Sequence, residues 1–207
     1  MNTVKAPEKN RKTRRQFDRD TALTTAMELF WRHGYEATSM SMLLKALKLT
    51  APSLYMAFGN KEQLFQAAVE HYREHYATKV FAPLKSAATA REAIEQMLYN
   101  SADMVASGKN PNGCLVSFGA INSSDHASKP AALLKSIRKT VFDYIRERLQ
   151  NGVDSNELPP STDVPRLARF YLGTLGAIQL LSLDGATTPE LRAVARDALK
   201  AWPENKA

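Results

Sequence analysis

The sequence predicts an all-α protein. Every periodic apolar segment repeats at i, i+3, i+4, i+7, the spacing of one helical face. No stretch shows the steady apolar–polar alternation of a strand. Ser, Thr, Asn and Asp stand before the apolar runs, where helices start, and Gly stands after several of them.

The elements follow in order. Residues 1–16 are polar and basic, with Lys5, Lys9, Arg11, Lys12, Arg14 and Arg15, and read as a flexible arm. A first helix starts at Asp18, a plausible N-cap, with face Leu23, Ala26, Met27 and Phe30, and Gly34 as its stop. Thr38 or Ser39 caps a second helix with face Met40, Leu43, Leu44 and Leu47. After the tight turn Lys48-Leu49, Thr50 caps a third helix that ends at Gly59. Pro52 fits its first turn, where N–H groups lack helical partners. Asn60 and Gln63 have the spacing of a capping box at the fourth helix. That helix runs through Leu64, Ala68, Tyr72 and His75 to about Val80.

Beyond Pro83 the pattern lengthens, with helices expected near 89–106, 113–122, 128–150, 163–183 and 188–202. Asn151-Gly152 is the expected end of the third of these, "NELPPST" reads as a linker, and Thr188-Pro189 opens the last. No internal repeat is apparent.

Charge is uneven along the chain. Of 28 Lys/Arg and 21 Asp/Glu, residues 1–61 hold 11 and 5, so the first part carries +6 of the net +7. A basic segment on a near-neutral body suits a polyanionic partner. Cys114 is the one cysteine, so no intrachain disulfide can form, which fits a reducing compartment. No secretory h-region opens the chain. The longest apolar-rich uncharged run, "FYLGTLGAIQLLSL", is too short to span a bilayer. The expected location is cytoplasmic.

The second and third helices with their tight turn make a helix-turn-helix. In that unit the second helix enters the major groove of double-stranded DNA. A helix of about eight residues is roughly 12 Å long, about the width of the groove. Leu54 and Phe58 are expected to face inward, leaving Ala51, Pro52, Ser53, Tyr55 and Met56 outward. Small and apolar groups read thymine methyls, Ser bonds base edges, and Tyr and capping residues such as Thr50 hold phosphates. Lys61 in the first turn of the fourth helix opposes the helix dipole, a conflict that a phosphate at that helix start would offset. Arg14 and Arg15 of the arm add basic contacts.

Residues 17–65, "FDRDTALTTAMELFWRHGYEATSMSMLLKALKLTAPSLYMAFGNKEQLF", resemble the N-terminal domain of the TetR family of transcriptional regulators. The G-Y-x-x-T-S step, the S-L-Y-x-x-F core and the N-K-E-x-L helix start stand in order. "NGVDSNELPPSTDVPRLARFYLGTLGAIQL" is similar to that family's linker and dimer helix. The resemblance implies a homodimer, with an N-terminal helix-turn-helix three-helix domain over 17–62 and a C-terminal helical ligand-binding and dimerisation domain over 63–207. It implies repression relieved by a small-molecule inducer. It gives DNA-contact roles to Thr38, Ser39, Ser53, Tyr55 and Lys61. Two positions depart from the pattern. Lys48 stands where Gly is common, at roughly 1 kcal/mol if its φ is positive, though its charge would serve DNA. Ala57 stands where His or Tyr often supplies a phosphate contact.

In the C-terminal part, residues 163–183 and 188–202 are the expected dimer helices. Gly173 and Gly176 permit close approach, and Leu172, Leu175, Ile178, Leu180, Leu191, Val194, Leu199 and Trp202 supply apolar area, unless they are buried within one chain. A ligand pocket between helices is expected. Its candidate lining is Met97, Tyr99, Met104, Phe118, Phe142, Tyr144 and Phe170, each of which also fits plain core. "NPNGCLVSFGA" places Cys114 at a helix start, where N–H groups favour a thiolate. It resembles a segment in TetR-like regulators that sense electrophiles and oxidants. The other reading is a buried, inert cysteine.

His71 and His75 have metal-ligand spacing but no third ligand nearby, so no metal is expected. No phosphate-cradling Gly loop, nucleophile constellation, paired carboxylates or cofactor motif is found, and no enzyme is expected. The alternative function is a helical small-molecule or lipid carrier whose basic end touches membrane.

Overall fold

The computed structural model describes residues 18–204 except 109 and 122–126. The arm expected over 1–16, with Arg14 and Arg15, lies outside the described residues. Helix α1, Arg19–Ala37, starts where Asp18 Oδ1 accepts from the Asp20 N–H at 3.1 Å. Gly34 breaks its path with φ 74°, as a stop signal should, but a further short turn carries the helix to Ala37. Helix α2, Met40–Leu47, is capped by Ser39, whose hydroxyl accepts from Met42 N–H at 3.2 Å. Such a cap contributes about 1 kcal/mol.

Lys48 adopts the left-handed conformation, φ 54°, and the Leu49 N–H bonds back to the Leu44 carbonyl. The turn therefore keeps its geometry without the usual glycine. Helix α3, Ala51–Phe58, follows Thr50 and ends at Gly59, φ 74°. Helix α4, Lys61–Tyr72, carries the full capping box between Asn60 and Gln63, both bonds at 2.9 Å. A π turn over Arg73–Ala77 joins it to α5, Thr78–Phe81. Pro83 does not end the helical path but opens a short α6, Pro83–Ser86, its missing N–H being harmless in a first turn.

Helix α7, Ala90–Val105, is capped twice. Thr89 accepts from the Glu92 N–H, and the Glu157 carboxylate, distant in sequence, accepts from the N–H groups of Ala90 and Arg91 at 2.7 Å each. Helix α8 is only Leu115–Phe118 among the described residues, shorter than expected. The carbonyl of the following Gly119 receives the Tyr35 N–H of α1 instead of continuing a helix. Helix α9, Ser128–Asp154, runs past Asn151-Gly152 and stops before Asn156, φ 61°. Gly152 serves close packing, not termination: a Cβ there would stand 2.8 Å from that of Ala90. Helices α10, Val164–Leu183, and α11, Thr188–Ala198, start at Asp163 and at the Thr187/Glu190 capping box, and a 3-10 turn over Leu199–Ala201 follows.

Two apolar cores result. One joins α1–α4 through Phe30, Leu43, Leu54 and Phe65, and takes in Cys114, Leu115, Val116 and Leu134. The other joins the helices from α5 on, apart from α8, through Ile94, Met97, Ile145, Tyr171 and Leu191. The expected domain boundary at 62/63 falls in the first turn of α4, whose residues through Tyr72 belong to the first core.

Several residues assigned to a dimer face pack inside their own chain. Leu175, Ile178, Leu191, Leu199 and Trp202 are buried in the second core, and Leu172 and Val194 pack half-buried against it. Burial leaves the first five little surface for contact with another subunit. The outward stripe of α10 is Phe170, Gly173, Ala177, Leu180 and Leu181. Cβ atoms added at Gly173 or Gly176 would meet nothing within 4 Å.

Candidate nucleic-acid interface and cavity

Leu43, Leu54 and Phe58 turn inward and seat α2 and α3 on α1 and α4. What remains outward on α3 is Pro52, Tyr55 at 52% exposure and Met56 at 87%, with Ala51 and Ser53 half-exposed. A methionine that open to water gains nothing from the fold. Around it lie hydroxyl groups suited to phosphates and base edges. Ser39 and Ser41 pair through their hydroxyls at 2.9 Å, as do Thr50 and Ser53. Ser41 and Lys45, both exposed on α2, were not singled out from the sequence. Their position one turn apart on the outer face of α2 is the signal. Lys48 is exposed in the turn.

Thr38 does not take the DNA-contact place expected of it. It is fully buried, and its hydroxyl donates to the Gly34 carbonyl at 2.6 Å, so it braces the break in α1.

Lys61 is held from two sides. Its Nζ lies 4.4 Å from the Tyr35 ring centroid and donates to the Glu36 carbonyl at 3.4 Å. Burial pushes its ammonium below the usual lysine value, while the Glu36 carboxylate pulls the other way. A cation fixed at the N-terminus of α4, at the positive end of the helix, suits a phosphate oxygen. Arg19, 5.3 Å from the Phe58 ring, adds a basic group at the C-terminal end of α3.

The second site is a cavity of about 680 Å³ bounded by α4 and its π turn, α5, α8, α9 and α10. That volume is in the range of small-molecule pockets. Of the expected lining residues, Met104, Cys114, Phe118 and Tyr144 face it. Met97 is fully buried in the helical core instead. Phe142 sits under the Arg169 guanidinium, Tyr99 under that of Arg192, and Phe170 points outward from α10. Periodicity marks these residues as apolar but says nothing about which of them border a gap.

Cys114 is 8% exposed and starts α8, and the Tyr72 hydroxyl donates to its sulfur at 3.3 Å. Burial, with Cys114 adjacent, pushes the Tyr72 phenol well above its ordinary range, so it stays a donor. Ser117, Arg138 and Gln179 are among the cavity residues that escaped the sequence reading. Gln179 was legible in principle, as the lone amide in the uncharged run "FYLGTLGAIQLLSL". The His71 and His75 rings lie 4.1 Å apart, and each has a nitrogen engaged. His71 Nε2 pairs with the Thr24 hydroxyl at 2.9 Å, and His75 Nδ1 with the His71 carbonyl at 2.9 Å.

A helix-turn-helix with an uncommitted outer α3 face, carried on a helical body, defines a DNA-binding transcriptional regulator. Residues 22–68 match the model for bacterial regulatory proteins of the tetR family, and residues 90–199 match that for the tetracyclin repressor-like C-terminal domain. The chain belongs to the TetR family. It is 34% identical over 201 residues to the HTH-type transcriptional repressor ComR of Escherichia coli (strain K12), spanning 95% of this chain and 94% of ComR. It superposes with a TM-score of 0.87 on the TetR family regulator CifR, there altered at its cysteines and complexed with a 26-bp double-strand operator DNA. That match has 36% identity and covers 91% of this chain and 99% of CifR. The reduced form of NemR from E. coli shares the fold, with a TM-score of 0.71 at 20% identity over 92% of this chain and 100% of NemR. Membership makes the chain a regulator and not an enzyme, and displaces the reading as a helical carrier. Among the described residues no helix is long and apolar enough to cross a membrane.

Proposed function

We propose that the protein is a cytoplasmic, homodimeric repressor that holds a palindromic operator and releases it when a small molecule or an electrophile enters the cavity. The observation that carries this reading is the α3 face, where Tyr55 and Met56 stand in water with no role in the core. Ser39, Lys48, Thr50, Ala51, Pro52, Ser53, Tyr55, Met56 and Lys61 form its contact set, joined by Arg14 and Arg15 of the arm. Residues 17–62 read DNA, and 63–207 bind ligand and partner subunit. The subunits meet through the outward stripe of α10, where Gly173 lets helices approach closely. Repression by ComR and operator binding by CifR, as those proteins are described, support the sign and the partner. Cys114 on the cavity wall supports a thiol route of induction beside a reversible one.

The test is selection of bound duplexes from a random library with purified protein, followed by titration at several salt concentrations. A palindrome is expected, bound by a dimer, with a log–log salt slope of several units at about 0.9 per phosphate. A flat salt response, or tight binding by a monomer, rejects the reading.

A further inference from the structure

The cavity is apolar along Val80, Phe81, Met104, Ile137, Val141 and Leu175. Most polar groups on its wall are already engaged. Tyr72 donates to Cys114, Thr78 to the Arg73 carbonyl, Thr140 to the Ser136 carbonyl, and Arg73 pairs with Glu70 at 2.7 Å. The Lys85 ammonium lies over the Tyr144 ring.

Two side chains differ. Gln179 is 4% exposed, and its Oε1 accepts from the Ser117 hydroxyl at 2.6 Å, while its amide N–H groups have no protein acceptor among the described residues. Arg138 is half-buried and donates one N–H to the Val116 carbonyl at 2.7 Å. No carboxylate lies within ion-pair distance among the described residues. Both are anchored on consecutive residues of α8, and both line the same cavity. A buried amide and a guanidinium that keep donors in hand, with no acceptor supplied by the protein, call for an anionic acceptor. A carboxylate fits the guanidinium fork best.

We infer that the cavity takes an apolar organic anion, a carboxylate on a hydrocarbon or aromatic body, with Arg138 and Gln179 as its headgroup site. This rests on the ligand-responsive reading above. It also supplies a route to DNA. A carboxylate on the spare donors of the two side chains that hold Val116 and Ser117 shifts and loosens α8, which ends at Gly119, whose carbonyl holds Tyr35. Loosened α8 frees the turn that leads into the helix-turn-helix.

Calorimetric titration of the intact protein tests this with two matched pairs, octanoate against 1-octanol and 4-phenylbutyrate against 4-phenyl-1-butanol. The acids are expected to bind roughly ten-fold or more tighter than the alcohols, the effect of a charge-assisted hydrogen bond. Arg138→Met should erase that preference and Arg138→Lys restore part of it. Gln179→Glu, nearly the same size, should weaken the acids far more than the alcohols, and it decides the matter if Arg138→Met fails to fold by circular dichroism. The bound acid should lower operator affinity roughly 5- to 150-fold.

Equal binding of acid and alcohol overturns the inference, as does no binding of either, or an acid preference that survives both Arg138→Met and Gln179→Glu. Operator binding by the ligand-free protein, measured on the same preparation, separates the two failures. If it persists while the acids fail, only the headgroup assignment falls. If the protein binds no duplex at all, the regulator reading falls with it.

Discussion

The Tyr35 N–H donates to the Gly119 carbonyl across 2.7 Å, a backbone bond between the last turn of α1 and the end of α8. Tyr35 also carries the Lys61 ammonium on its ring, so one residue touches both the cavity wall and the phosphate-facing edge. Gly34 makes the bond possible. Its φ is 74°, and a Cβ there would stand 3.2 Å from the Gly119 oxygen. Gly34→Ala is expected to destabilise by about 1–2 kcal/mol. At this chain length that lowers Tm by roughly 2–4 °C per kcal/mol, read in a thermal melt. An unchanged Tm would mean that this turn is not under constraint.

Tyr55→Phe and Lys61→Ala should weaken binding to operator and scrambled duplexes alike, since phosphate contacts carry no sequence. Ser53→Ala should change base preference instead, and it also releases the Thr50 hydroxyl, its partner at 2.9 Å. Fluorescence anisotropy on single-base operator variants distinguishes the two patterns. A base-selective effect from Lys61→Ala would reverse the assignment.

Cys114→Ser should fold and bind operator nearly as the parent does, because serine occupies the same place beside the Tyr72 hydroxyl. If the thiol is an inducer site, a mild electrophile releases the parent from DNA and leaves Cys114→Ser bound. Mass spectrometry of the treated protein, run beside operator titration, reads both steps. Release of the two proteins alike would leave the cysteine a packing residue.

Burial pushes the His71 imidazole below its ordinary value of 6.5. His75 adds to this, and Asp20 and Glu74 pull the other way. The folded protein then binds that proton less readily than the unfolded chain does. Stability from this group is full above about pH 6.5 and falls as the pH drops through the window just below. Between about pH 7 and 5.5, Tm should fall more steeply in the parent than in His71→Gln. Parallel curves would show that the Thr24 hydrogen bond, not burial, governs the site.

Helix starts were legible because their signals are local. Ser39, and Asn60 with Gln63, make their bonds within three residues, and sequence spacing contains that information; at the last helix the cap is Thr187, one residue before the Thr188-Pro189 start that was expected. The outward face of α3 was legible for a related reason: Leu54 and Phe58 are four apart and define the inner face. The C-terminal part was harder to read. Leu175 and Leu180 lie on one helix with the same chemistry, yet one is in the core and the other faces out. Periodicity finds an apolar position but does not say whether its partner belongs to the same chain. Gly152 looked like a stop and is a contact with Ala90, 62 positions earlier in the chain. Arg138 and Gln179 gain meaning only once α8, α9 and α10 share a wall.

The division of labour within α3 bears on how such a protein diverges. Leu54 and Phe58 answer to the core, whereas Tyr55 and Met56 belong to neither core among the described residues. Substitutions at these two outward positions are nearly silent for folding, since exposed sites usually shift stability by less than about 0.5 kcal/mol. A duplicated copy can therefore drift to a new target sequence while its inducer response stays intact, because the cavity lies in other helices. The same separation lets a designer exchange the reading head by rewriting a few exposed side chains.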